Sequence, residues 1–238
     1  MIDKIGLSSS MDVLEIGCGR GDSALYIAKK AHSVFAIDYS KDAIEIASNM
    51  AKRYPSKIRN KVKFTVMRAD NLKFQNNSFD VIIFIDTIDH LNKKEINNTF
   101  KEILRVLKPR GFLFIKTCSN KILLDKTYKY YIWPMNEFLT WLDKKIKKTS
   151  YTSLPWDPRT AEAKKQHINE PDYFYLKSLF KKHNLKGNIK SETGFLTKNK
   201  GFRSELYNFV VGLYPLSKYF PLNILFAHSF FAELVKNE

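Results

Sequence analysis

Five residues between a short apolar run and a helical stretch carry the first chemical signal: Gly17-Cys18-Gly19-Arg20-Gly21. Glycines at such a turn accept positive φ and let a ligand approach the backbone closely. A dinucleotide fingerprint, G-x-G-x-x-G, wants a third glycine at position 22, where Asp22 stands. A carboxylate at that helix N-terminus repels the pyrophosphate that such a terminus normally attracts. The Walker lysine is absent as well. The turn therefore fits a nucleoside without phosphates, and a nicotinamide dehydrogenase is the weakest of the nucleotide readings. Asp38 follows Gly21 by 17 residues, at the end of the next apolar run. A carboxylate there can accept hydrogen bonds from two ribose hydroxyls. Alone it reads equally well as a surface aspartate beside a helix. Paired with the glycine turn, the ribose reading leads.

These groups need a scaffold. Residues 11–16 (MDVLEI), 33–37 (SVFAI), 62–67, 79–85 (FDVIIFI) and 111–117 (GFLFIKT) read as buried strands. Asp22 is expected to cap a helix through Ala31, and Ser40 a helix bearing Ile44, Ala47 and Met50. Residues 95–107 are amphipathic and are stopped by Pro109 and Gly111. Apolar strands alternating with helices predict an α/β fold with a parallel sheet covered on both faces. Crossovers in such a sheet are right-handed. Residues 119–167 are rich in lysine and aromatics and read as an insertion. A helix is expected over 172–183, strands over 187–192 and 229–235, and an aromatic, proline-rich excursion over 201–228.

Composition bounds the function. The chain has 238 residues, 44% hydrophobic and 27% charged, which excludes collagen and general disorder. One domain is expected over 1–238. The net charge is +16, spread as +7 on residues 1–118 and +9 on 119–238. Lysines number 32 against 8 arginines, whereas arginine is the residue favoured for bidentate phosphate and base contacts. Nucleic acid is therefore an open but unfavoured partner. The densest run, Lys144-Lys145-Ile146-Lys147-Lys148, reads first as a solvated helix face and second as an RNA contact. Cys18 and Cys118 make no disulfide framework, and no Cys/His spacing suggests zinc or another metal. A reduced, cytoplasmic setting is expected. No secretory leader is apparent. No apolar run reaches the roughly 20 residues a membrane span needs; 207–231 is broken by Pro215, Lys218, Pro221, Asn223 and His228.

Four segments in order carry a family resemblance: VLEIGCGRGDSALYIA, AIDYS, FDVIIFIDTIDHL and LRVLKPRGFLFI. Together, over residues 11–118, they resemble the class I S-adenosylmethionine-dependent methyltransferases. The nearest subgroup acts on quinones, sterols, sugars and other small molecules. The resemblance implies a Rossmann-like, mostly parallel seven-stranded sheet of order 3-2-1-4-5-7-6 with the last strand antiparallel. Insertions would follow strand 5 and fall between strands 6 and 7. Residues 1–118 would form the cofactor half, 119–167 a lid or acceptor site, and 168–238 the C-terminal half. It further implies that Glu15, Gly17, Cys18, Gly19 and Gly21 line the methionine part of S-adenosylmethionine. Asp38 would bind the ribose, with Tyr39 beside the adenine. Asp70 would face the adenine amino group, with Asn71 supplying a backbone contact. Asp86 would lie near cofactor and acceptor. Asp89-His90 matches the family's Glu-His or His-His pair. The sequence departs from the pattern at Asp70–Phe74, which is shorter than usual, and at Arg110, which replaces a glycine. The first strand begins only about ten residues in, where the family usually has one or more N-terminal helices over the cofactor; either the start is truncated or the 119–167 insertion is expected to supply that cover.

Methyl transfer from a sulfonium is an in-line displacement, so a protein mainly positions two reactants and removes water. A general base is needed only if the nucleophile starts protonated. His90 is the candidate base; it reads alternatively as a histidine closing the motif by packing. Asp86 and Asp89 could orient a hydroxyl or cap the helix beginning near Asn92. Ile85-Asp86-Thr87-Ile88 lacks the Pro-Pro of amino-methylating enzymes, and Cys118 lacks the Pro-Cys context of cytosine methylation and reads as a structural cysteine. The product would be S-adenosylhomocysteine. The acceptor is expected to be small and hydrophobic or lipid-like, methylated at oxygen or carbon. Tyr128, Tyr130, Tyr131, Trp133, Trp141, Trp156, Phe202, Tyr207, Tyr214, Tyr219 and Phe220 read first as core packing. Beside lysines they keep a peripheral membrane contact open. An RNA methyltransferase and a non-catalytic cofactor-binding regulator stand as alternatives.

Overall fold

The structure is a computed structural model, and it describes residues 2–146, 151–193 and 201–236. Lys147 and Lys148 of the basic run lie outside the described residues. The first half alternates as expected: β1 (Asp12–Ile16), α1 (Asp22–Ile27), β2 (Ser33–Asp38), α2 (Lys41–Ala51), α3 (Ser56–Arg59), β3 (Val62–Val66), β4 (Phe79–Ile85), α4 (Lys93–Val106) and β5 (Leu107–Thr117). A π-helical segment, Leu123–Ile132, leads into α5 (Trp133–Lys145) and then α6 (Ala161–Gln166). There follow α7 (Tyr173–Lys182), β6 (Leu185–Thr193), α8 (Phe202–Gly212), α9 (Leu222–Leu225) and β7 (Ala227–Lys236).

The strands form a seven-stranded sheet of order β3-β2-β1-β4-β5-β7-β6 among the described residues. β1 to β5 pair in parallel, and β7 runs antiparallel to both β5 and β6. This is the order and direction of strands that the family resemblance implies. Alternate strand residues feed opposite faces. Leu14, Ile16, Ile82 and Phe84 join α4 and α7 through Ile96, Phe100, Ile103, Leu176 and Phe180. Val13, Val81 and Ile83 join α1 through Ala24 and Ile27 on the other face. Burial on both faces explains why these strands read as continuous apolar runs.

Local signals behave unevenly. Ser40 caps α2, its hydroxyl accepting from the Ala43 amide at 3.2 Å. Asp172 caps α7 through the Tyr175 amide at 2.9 Å. Asp22 does not cap α1: Gly21 occupies the cap position in left-handed geometry, Asp22 is the first helical residue, and the helix ends four residues sooner than expected. Neither Asp86 nor Asp89 caps α4. Asn92 does, in a reciprocal box with Glu95. That helix stops at Val106 rather than at Pro109, because Leu107 already pairs with Phe79 as the first residue of β5. The two aromatic excursions pack on each other as a third apolar cluster, with Tyr128, Ile132, Leu139, Val211 and Phe226 at its centre.

Candidate functional site

The carboxyl ends of β1, β2 and β4 open onto one cleft, the usual ligand position in an open α/β sheet. It has two adjoining lobes of about 340 and 610 Å³ that share Gly17, Asp38, Tyr39, Thr87, His90, Leu91 and Ile168. The glycine turn forms its floor. The Gly17 and Cys18 amides both donate to the Ile37 carbonyl, at 2.8 and 3.0 Å, which ties the turn to β2. Gly17 has φ +76°, and a Cβ there would fall 2.0 Å from the Thr87 hydroxyl oxygen. Gly21, at φ +83°, is pressed against Phe64 and Ala47, so it seats α1 rather than lining the cleft. Gly19 is also left-handed and has open space where a side chain would stand.

Asp38 ends β2 directly over this turn. Its Oδ2 accepts from the Gly19 amide and its Oδ1 from the Ser40 amide, both at 2.9 Å. Each oxygen keeps a further lone pair toward the cleft, so the carboxylate is oriented yet able to accept two hydroxyls. Tyr39 lines both lobes and is 76% exposed. Beneath the turn, Glu15 is buried and takes a hydrogen bond from the Ser23 hydroxyl. Its Oε2 is buried with no partner among the described residues. Burial pushes this carboxyl up to about 7, against the lowering effect of Ser23. Cys18 is buried as well; desolvation, Glu15 and Asp38 push its thiol up to about 12. A thiol held that far from ionisation is a poor nucleophile.

Asp70 lines the narrower lobe with Met67 and Ala69. The Arg68 guanidinium grips both its oxygens at 2.9 Å and reaches Glu95 at 3.0 Å. That grip holds the Asp70 carboxyl below the usual range. Asn71 is exposed and lines neither lobe; its side-chain oxygen accepts from Lys73. Arg68 and Glu95 are site residues that sequence reading missed: Arg68 follows β3 and reaches Glu95 on α4, 27 residues away, by a single contact that no local pattern marks.

The mouth is built after β4. Asp86, exposed and at φ +47°, lines the wider lobe. It also accepts a hydrogen bond from Cys118, whose thiol burial and Asp86 push up to about 12. Asp89 points away from the cleft: it is buried, accepts from the Thr117 hydroxyl at 2.6 Å, and its carboxyl is pushed up by that burial. His90 lines both lobes, with Nδ1 3.1 Å from the Gln166 carbonyl. Its ring meets His167 edge-on at 5.2 Å between centroids. Lys165, Gln166 and Ile168, from α6 and the chain just after it, close the wider lobe. His167 could not be paired with His90 by spacing, since 77 residues separate them.

The chain is similar to known proteins. Residues 13–111 match a family profile described as "Methyltransferase domain". The chain is 36% identical over 136 residues to a ubiquinone biosynthesis O-methyltransferase of Pelagibacter ubique, covering 56% of this chain and 51% of that one. It is 34% identical over 128 residues to a ubiquinone/menaquinone biosynthesis C-methyltransferase of Rickettsia bellii, covering half of each. The chain thus spans about half the length of the curated relatives it matches. Among solved structures, a SAM-dependent methyltransferase of Methanosarcina mazei superposes with a TM-score of 0.61 at 21% identity, covering 99% of this chain and 97% of that one. The YcgJ protein of Bacillus subtilis superposes equally well, with a TM-score of 0.61 at 19% identity, covering 100% and 97%. These two likenesses establish the fold.

Proposed function

We propose that this chain, which carries a class I S-adenosylmethionine-dependent methyltransferase domain, moves a methyl group to an oxygen or carbon of a small hydrophobic acceptor. The observation that carries this reading is the Asp38 carboxylate, held over a left-handed glycine turn by the Gly19 and Ser40 amides. When bound, S-adenosylmethionine supplies the methyl group on a positively charged sulfur, already activated for in-line displacement. The chain's residues fit that cofactor. The unpartnered Oε2 of Glu15 is an acceptor suited to its ammonium group. Asp38 suits the ribose hydroxyls, and Tyr39 and Met67 offer apolar surface to an adenine. Asp70 keeps only the lone pairs that Arg68 leaves, so its contact with the adenine amino group is shared. Asn71 is assigned a backbone contact alone.

His90 is assigned the proton. Its Nδ1 faces a carbonyl, which can only accept, so in the neutral ring Nδ1 carries the hydrogen and Nε2 offers a lone pair. That nitrogen is available to take the proton of an acceptor hydroxyl. Leu91 and Ile168 help exclude water from the same space. A quinone-like or otherwise hydrophobic acceptor is supported by the names of the relatives, methyltransferases of ubiquinone and of ubiquinone/menaquinone biosynthesis. A cytoplasmic site of action belongs to the same proposal, in keeping with two free cysteines. The test is labelled-methyl transfer into fractionated cell extract. Label in the lipid or small-molecule fraction is expected; label confined to RNA or protein contradicts the reading.

A further inference from the structure

The helix α5 is amphipathic the wrong way round for a helix of a water-soluble face. It buries Asn136, Leu139, Thr140 and Asp143, and it turns Phe138, Trp141 and Leu142 outward, with Ile146 just beyond its end. Of the inward polar groups, Asn136 and Asp143 are hydrogen-bonded, while the Thr140 hydroxyl is buried without a partner among the described residues. Asn136 donates to the Thr152 carbonyl and accepts from the Tyr207 hydroxyl, both at 3.0 Å. Asp143 accepts from Arg203 at 3.0 Å and from the Tyr151 amide at 3.2 Å. These contacts set α5 and α8 antiparallel, with 143 against 203 and 136 against 207. The helix α8 leaves a second apolar stripe open at Phe202, Leu206 and Phe209, spaced four and three residues apart. Trp141 is 51% exposed and stacks on Phe138; Phe202 is 79% exposed. Beyond α8, Leu216, Tyr219 and Phe220 are exposed as well. Scattered apolar residues are normal on a surface, but two packed helices presenting stripes of large ones are not.

We propose that this helical layer docks on an anionic lipid surface, lying in the interface with α5 and α8 against it. The charge pattern selects this occupant. Lys145 places its ammonium 4.1 Å over the Trp141 ring, and Lys218 places its own 4.4 Å over Tyr214. Lys144, next to Lys145 in sequence, is exposed as well. The acids of α5 are withdrawn: Asp143 is buried on Arg203, and Glu137 is engaged by the Ser153 hydroxyl at 2.6 Å. Glu205 is the acid left on the open side of α8. Aromatic side chains rimmed by lysines are what a bilayer interface accepts: rings sink to the headgroup boundary and ammonium groups meet lipid phosphates. A second copy would set these lysines against the same lysines, so self-association is opposed where anionic lipid is attracted. No helix among the described residues is long and apolar enough to cross a membrane, so the contact lies on the surface. The inference stands apart from the methyl-transfer reading, because docking is measured without turnover.

The experiment is vesicle sedimentation of the full chain with phosphatidylcholine alone and with added phosphatidylglycerol. Binding to the anionic vesicles is expected, weaker on the neutral ones. Trp141→Ser with Phe202→Ser is expected to weaken it at least tenfold, roughly the effect of removing one well-buried apolar side chain from the interface. Lys144→Glu with Lys145→Glu is expected to remove the preference for anionic lipid. Unchanged S-adenosylhomocysteine binding or unchanged circular dichroism in these variants shows that they still fold. No binding by the parent chain at low salt overturns the proposal, as does equal binding by the Trp141/Phe202 variant. A dimer in sedimentation equilibrium that Trp141→Ser dissolves also overturns it, since a second copy then covers the face.

Discussion

At the residue scale, the site separates groups that are held from groups that are waiting. Asp38 and Asp70 are held, by backbone amides and by Arg68. Glu15 is waiting, with one oxygen bound to Ser23 and the other bare in the interior. Its carboxyl sits at about 7 in the folded chain against an ordinary value near 4.5. Between those two values the folded state holds the proton more tightly, so the contribution of Glu15 to stability falls as pH rises through that window. It is flat above 7, and the total is on the order of 3 kcal/mol. Denaturant titrations of the parent and Glu15→Gln should therefore diverge in favour of the variant from pH 5 to pH 7 (about the window just given). Ligand binding should show the opposite slope. A bound ammonium favours the ionised carboxylate, so S-adenosylhomocysteine should bind more tightly as pH rises toward 7, and Glu15→Gln should flatten that rise in calorimetry. His90 makes a different prediction. If Nε2 takes a hydroxyl proton, His90→Gln should lower kcat by about a hundredfold for a hydroxyl acceptor and change cofactor affinity little. A matching loss in cofactor affinity would assign the ring to packing instead. The glycine turn and Asp38 were legible in sequence because their spacing is local. His167, Arg68 and Glu95 were not, because only the folded sheet brings them to the cleft.

At the element scale, the wall of the wider lobe depends on a single arginine. Arg159 reaches Asp125 at 2.8 Å, Asp157 at 3.0 Å and Glu170 at 2.9 Å. It thereby joins the π-helical segment, the approach to α6 and the approach to α7, on both sides of the residues that line the lobe. Desolvation works against Asp125 and Asp157, yet Lys121 and Arg159 hold the first carboxyl low, and Arg159 and Lys164 the second. Arg159→Ala leaves three carboxylates together and should cost about 2 kcal/mol, less than for a fully buried cluster because the groups are partly solvated. Depressed carboxyls contribute stability above their ordinary pKa and lose it as pH falls. The gap between parent and variant in urea titrations should therefore hold from neutral pH down to the ordinary aspartate value of 3.8 and shrink below it. A gap that stays constant would contradict the ion-pair account. Strands were the most legible elements, since β1, β4 and β5 are buried on both faces and announce themselves as apolar runs. The helix α5 was the least legible. Its apolar residues face outward and its inward face is polar, so hydrophobic periodicity points to the wrong side.

At the scale of the whole molecule, one sheet serves two halves. Residues 12–117 supply its five parallel strands and most of the cleft, which residues 165–168 close, while the two late excursions build a separate apolar cluster beyond β5 and β7. The alternation of apolar runs gave a parallel sheet, the order of strands came from the family resemblance alone, and the antiparallel β7 bears that order out. The excursions resisted reading because their packing rests on tyrosine and tryptophan donors reaching distant carbonyls: Tyr128 to Pro155, Tyr131 to Val210, Tyr151 to Arg203 and Trp133 to Leu154. No local pattern encodes such pairs. The +16 charge is spread over both halves of the sequence, and beside α5 and α8 two of its lysines, Lys145 and Lys218, sit over aromatic rings. The central claim is the cofactor, and isothermal calorimetry with S-adenosylhomocysteine tests it most directly. The account predicts saturable binding by the parent chain and a loss of at least about tenfold in Asp38→Ala, the equivalent of one charged hydrogen-bonding group. No binding by the parent chain, or equal binding by Asp38→Ala, would contradict it.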